Sequence, residues 1–128
     1  MIVRDLNFVR AAGNEIHSDG WTSRRYLLKK DGMGFSFHQT IIKSGVELAM
    51  HYKNHLEAVF CMSGKGEILG KATGERHPIG PGVMYALNLH DEHVLVAHSE
   101  MTMMCVFNPP VVGDETHKAD GSYELVNE

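Results

Sequence analysis

The 128-residue sequence has only two cysteines, one tryptophan and four prolines, and its hydrophobic residues never gather into a long run. Each scarcity excludes something. Cys61 and Cys105 stand far apart and fit no zinc or redox spacing, so no disulfide framework is expected and each reads as a small buried hydrophobe. No stretch approaches the ~20 apolar residues of a membrane span, and residues 1–10 mix acidic and basic side chains without the apolar core of a signal peptide. A cytoplasmic protein with no membrane partner is expected. A dominant charge is missing too: 12 Lys and Arg are scattered among 16 Asp and Glu, for a formal net charge of −4. No basic face therefore offers itself to nucleic acid.

Helical periodicity is nearly absent, and residues 10–15 have room for one helical turn at most. Instead, apolar residues recur with a period of two in segments of four to eight, which is the pattern of an all-β sandwich or barrel. The expected strands are 21–29, 34–42, 47–52, 55–62, 66–69, 83–87, 93–96 and 101–107. Asp31-Gly32, Lys43-Ser44-Gly45, Ser63-Gly64, Ala72-Thr73-Gly74, Gly80-Pro81-Gly82 and Asn88-Leu89-His90-Asp91 supply the turns between them. Asn108-Pro109-Pro110 ends the last strand, because two successive residues without an N–H cannot continue a ladder. With 43% hydrophobic residues, residues 1–128 make one domain around one core, followed by a tail from about residue 109. About eight short antiparallel strands hide their edges best as a double-sheet jelly roll with a pocket at its mouth.

That fold class is the cupin barrel, and a loose cupin motif is present in altered form. Gly45, His51, Lys53, Glu57 and Gly64 fall at its offsets, but Lys53 replaces the second histidine and cannot ligate while protonated. In the second motif, Gly82-Val83-Met84 leads to Tyr85 where a histidine is usual. A standard three-histidine, one-glutamate centre is thereby ruled out.

The sequence closely resembles one family over nearly its whole length, the ectoine synthases. The resemblance rests on Trp21-Thr22-Ser23-Arg24-Arg25, Phe35-Ser36-Phe37-His38, Asn54-His55-Leu56-Glu57-Ala58, Pro81-Gly82-Val83-Met84-Tyr85-Ala86-Leu87, Cys105-Val106-Phe107-Asn108-Pro109-Pro110 and Glu115-Thr116-His117. It implies metal ligands at Glu57, Tyr85 and His93, and substrate contacts at Trp21, Arg25, Thr40, Tyr52, Cys105, Phe107, Glu115 and His117. It also implies a homodimer and iron(II), although a carboxylate, a phenol and an imidazole suit zinc or manganese as well. The implied reaction is closure of N-γ-acetyl-L-2,4-diaminobutyrate to ectoine with loss of water. Glu115 and His117 are the candidates for proton transfer, their acid and base roles undivided, and Tyr52 joins them as a catalytic candidate.

Parity along the chain offers an independent check, since residues an even number apart on a strand share a face. Trp21 with Arg25, His38 with Thr40, Cys105 with Phe107, and Glu115 with His117 all pass. Taken without the family, Glu57 reads equally as a ligand or a buried ion-pair member, and Tyr85 reads as core packing. His17, His77 and His98 read as surface residues, His90 as a turn residue, and His55 as either a ligand or a group that orients one. Met101, Met103 and Met104 read as core. Asp114 stands where the family commonly has arginine, and His38 occupies a variable position that bears on substrate range. A divergent enzyme for another N-acyl amino acid, or a non-catalytic barrel that binds a small zwitterion, remain the alternatives.

Overall fold

The computed structural model describes residues 1–113. Helix α1 (Leu6–Ala11) is followed by ten strands: β1 (Glu15–His17), β2 (Trp21–Leu27), β3 (Ser36–Ile42), β4 (Glu47–Met50), β5 (Leu56–Ser63), β6 (Gly66–Gly70), β7 (Arg76–Ile79), β8 (Met84–Leu87), β9 (His93–Ala97) and β10 (Met101–Asn108). They form a six-stranded sheet in the order β1-β2-β3-β10-β5-β8 and a four-stranded sheet in the order β4-β9-β6-β7. Every pairing is antiparallel.

The alternation that predicted the strands also aims them. On β10, Met101, Met103, Cys105 and Phe107 are buried, and on β5 Glu57, Val59 and Cys61 are. From β9 come His93, Leu95 and Ala97, and from β2 Trp21, Ser23 and Arg25. One face of each sheet therefore turns into a shared interior, and both cysteines sit there as free thiols. No helix among the described residues is long and apolar enough to cross a membrane.

Several boundaries differ from expectation. The helical turn lies over Leu6–Ala11, where Asp5 Oδ1 caps it by accepting from the Phe8 N–H at 2.9 Å, while Glu15 opens a strand instead. Strands β1 and β7 were missed. The first is too short to show a period, and the second contains Pro78, which is tolerated because β7 is a sheet edge. Strand β2 stops at Leu27 and gives way to a 3-10 turn at Lys29–Asp31. There the Asp31 carboxylate accepts from the Leu28 N–H at 2.8 Å and takes a two-point grip from Arg4 at 2.7 and 2.8 Å. Arg4 also donates to the Tyr26 carbonyl at 2.7 Å, and so ties the N-terminal segment to the end of β2.

Gly64, at the turn between β5 and β6, has φ +88°, and a Cβ there would collide with the Glu100 backbone carbonyl. We expect Gly64→Ala to lower the unfolding free energy by about 2–4 kcal/mol in urea titrations, since neither the dihedral nor the backbone neighbour can yield cheaply. The hydrogen bonds from Arg4 pull the Asp31 carboxyl from 3.8 down to about 2, against the opposing effect of its burial. A depressed folded-state pKa means that this contribution is complete above the unfolded value and is lost as pH falls from about 4 toward 2. Asp31→Asn should flatten the acid limb of stability over that window, and an unchanged limb would sink the assignment.

Candidate active site

The interior is a lumen between the sheets, lined by Trp21, Thr40, Tyr52, Glu57, Tyr85, Cys105 and Phe107 together with apolar side chains including Met50, Val59, Leu95 and Met103. Strand parity explains why β2, β3, β5 and β10 each contribute. Phe107 stands among the rings, with its centroid 5.1 Å from those of His38 and Tyr52 and 5.9 Å from that of His55. The Tyr52 hydroxyl donates to Met50 Sδ at 3.4 Å. Its carbonyl accepts from His90 Nδ1 at 2.8 Å. His90, at φ 54°, thus ties the turn between β8 and β9 to the segment entering β5, a structural role as expected.

Burial dominates the electrostatics. Loss of water pushes the Glu57 carboxyl up to about 8, only partly opposed by a hydrogen bond from the Cys105 thiol. Tyr85 is driven well above the usual phenol range, first by burial and then by the charge of Glu57. The Cys105 thiol, 3.6 Å from Thr40 Oγ1, is also pushed up, mainly by burial. His93 is held below its ordinary value by burial. Its Nδ1 lies 2.8 Å from the Asp91 carbonyl, which can only accept, so Nδ1 carries the proton and Nε2 keeps a lone pair. That Nε2 is buried and has no hydrogen-bond partner among the described residues.

The candidate residues do not all line one cavity. Glu57 and Tyr85 share the lumen, whereas His93 lines an adjoining cleft between β6, β8 and β9, and Tyr85 borders both. Arg25 is fully buried beside Ser23 of the lumen wall, where Nε donates to Ser23 Oγ at 3.2 Å and Nη1 to the Gly113 carbonyl at 3.0 Å. Glu115, His117 and Asp114 lie outside the described residues. Of the remaining histidines, His17, His77 and His98 are exposed, and His51 stands 3.8 Å from Glu92. Among the described residues no three His, Cys, Asp or Glu side chains are grouped to hold a metal; Glu57, Tyr85 and His93 include only two of those kinds. Ser23 and Ser36 were not singled out from sequence. Their signal was parity alone, since each sits two residues from a candidate, Arg25 or His38.

A model of the ectoine synthase family matches residues 1–127. The chain belongs to the ectoine synthase family. It is 60% identical over 129 residues to the L-ectoine synthase of Desulfosudis oleivorans, covering 100% of both chains. It is 61% identical to that of Hyphomonas neptunium, over 96% of this chain and 93% of the relative. A crystal structure of the ectoine synthase from P. lautus superposes with a TM-score of 0.83 at 52% identity, over 88% of this chain and 81% of that one. A cupin 2 conserved barrel domain protein from Salinispora arenicola, 20% identical with a TM-score of 0.66 over 84% of this chain and 87% of its own, shares the barrel alone. The family's cupin fold is thus the fold found here.

Phe107 is buried and packs against the rings of His38, Tyr52 and His55. Phe107→Ala should cost about 3–5 kcal/mol, the range for a large ring deleted from a core, measured by denaturant unfolding. A loss under 1 kcal/mol would mean that the three rings around it do not depend on it.

Proposed function

We propose that the protein is an L-ectoine synthase, a hydro-lyase that closes N-γ-acetyl-L-2,4-diaminobutyrate to ectoine for osmoprotection. The observation that carries this reading is its end-to-end likeness to proteins of that name. In the reaction the α-amine nitrogen bonds to the acetamide carbon, and the tetrahedral carbon then expels its oxygen as water to leave the ring C=N bond. An α-amine with a pKa near ~8 is mostly protonated at neutral pH, so a base must first take its proton. Glu115 and His117, with Tyr52, are the residues we assign to proton movement.

Glu57, Tyr85 and His93 would hold a divalent cation, iron(II) before zinc or manganese. The donor set supports this fit: the His93 Nε2 lone pair is buried and unpaired among the described residues, and burial disfavours the Glu57 carboxylate unless a cation offsets its charge. A bound cation supplies Lewis-acid polarisation of an otherwise unreactive amide carbonyl. Arg25 would pair with the substrate carboxylate, and the Trp21 face would carry its cationic end. Thr40, Tyr52 and Cys105 would border the substrate, and Phe107 with Trp21 would exclude the water whose readdition reverses the reaction.

We read residues 1–128 as one barrel domain with its tail, assembled as a homodimer. The outer face of the six-stranded sheet supports a second copy there: Leu56, Phe60, Met62 and Met84 are exposed, and Phe60 lies opposite Met84 across β5 and β8. Contiguous apolar patches of this kind mark interfaces.

Purified protein given iron(II) anaerobically should convert the acetylated diamino acid to ectoine, read by chromatography. Glu57→Ala, Tyr85→Phe and His93→Ala should each lower bound iron and cut kcat/KM by about 100-fold or more, the scale for loss of a metal ligand. Failure of fully metallated wild-type protein would reject the activity. Preference for glutamine would redirect it to other amides, and binding without turnover that survives Glu57→Ala would mark a binding protein.

A further inference from the structure

A buried polar run links β2 and β3 to residues 111–113, and of its members the proposed chemistry uses Arg25 alone. From Arg25, the run passes to Ser23 Oγ, which lies 3.5 Å from His38 Nδ1, and on from His38 Nε2 to Ser36 Oγ at 3.0 Å. Ser36 Oγ accepts from the Val111 N–H at 3.0 Å. The other end of the run is Arg25 Nη1, which donates to the Gly113 carbonyl. Both ends therefore land on the same three residues of exiting chain. Arg25, Ser23, Ser36 and His38 are each no more than 2% exposed. Polar groups so deeply buried are costly unless their hydrogen bonds are satisfied, so the run has a definite geometry to keep.

Donors at both termini fix one role of each serine. A guanidinium and a backbone N–H can only donate, so Ser23 and Ser36 both accept, and each keeps one hydroxyl proton to place. A neutral imidazole, with one donor and one acceptor nitrogen, can accept from one serine and donate to the other. An imidazolium would donate to both. Burial, followed by the charge of Arg25 and the proximity of His55, holds His38 well below its ordinary pKa, which agrees with the neutral form.

We propose that His38 is a positioning residue which, through Ser23 and Ser36, holds residues 111–113 in one geometry relative to Arg25. Substrate carboxylate recognition and the chain leading to Glu115 and His117 are thereby held in a single register. This inference rests on the function proposed above, and it acts through neighbours rather than by contact with the reacting atoms.

The test uses iron-loaded, full-length protein carrying Ser36→Ala, Ser23→Ala, His38→Leu or His38→Gln. Two readouts are taken: amide hydrogen exchange at Val111 without substrate, and kcat and KM separately. Ser36→Ala removes the acceptor of the Val111 N–H together with the partner of His38 Nε2, so it should raise Val111 exchange and lower kcat about tenfold, the scale of one buried hydrogen bond. Ser23→Ala removes the partner of Arg25 Nε and of His38 Nδ1 but leaves the Val111 contact in place, and should mainly raise KM. His38→Leu should do both, and His38→Gln, which keeps a donor and an acceptor, should recover most of each. A merely structural histidine would lower the melting temperature without dividing kcat from KM in this way. Unchanged Val111 exchange in Ser36→Ala and His38→Leu, or raised exchange with wild-type kcat and KM, would overturn the proposal. The exchange readout needs no substrate, so it decides the positioning role even if wild-type turnover fails and only the activity assignment falls.

Discussion

The exclusion of water from the space between two sheets is the constraint on which everything else in this molecule depends. A barrel built from strands with one inward face must fill its interior with those faces, and most of the filling is ordinary: Leu95, Met101, Met103, Val59. The same interior also holds Arg25, His38, His55, Glu57 and His93. Each would be better solvated outside, so each must be compensated from within the protein or by what the protein binds.

Two kinds of compensation are visible. Around Arg25 and His38 the donors and acceptors are matched by serines and by backbone groups of the exiting chain, so polarity is spent on fixing position. At Glu57 and His93 burial is less fully offset. The carboxyl is pushed up to about 8, and the imidazole keeps an unpaired buried lone pair among the described residues. One side of the interior is satisfied by the protein's own groups, and on the other a buried lone pair of His93 has no hydrogen-bond partner among the described residues.

The strands that carry the site were legible because period two is enforced by burial. Met101, Met103, Cys105 and Phe107 could not all face inward in any other conformation. Where burial does not enforce a period, sequence reading failed: Glu15–His17 is polar and three residues long, and Arg76–Ile79 is an edge strand interrupted by proline. The end of β2 was missed for a different reason. Asp31 stops it through contacts with Leu28 and with Arg4, twenty-seven residues away, and no local pattern reports so distant a partner.

By itself the sequence determined the alternation, the turns and the identity of the side chains sent inward, because these follow from the steric period of a strand and from the residues that permit tight turns. Its motifs also identified the family. Only the tertiary structure decided which inward residues share a space. It set Tyr85 on the wall between the lumen and the cleft of His93, and it tied Arg25 to Ser23 and Gly113. It also joined Ser23, His38 and Ser36 into one run. Those relations depend on how one sheet closes on the other, and closure is a property of the whole fold that no single segment contains.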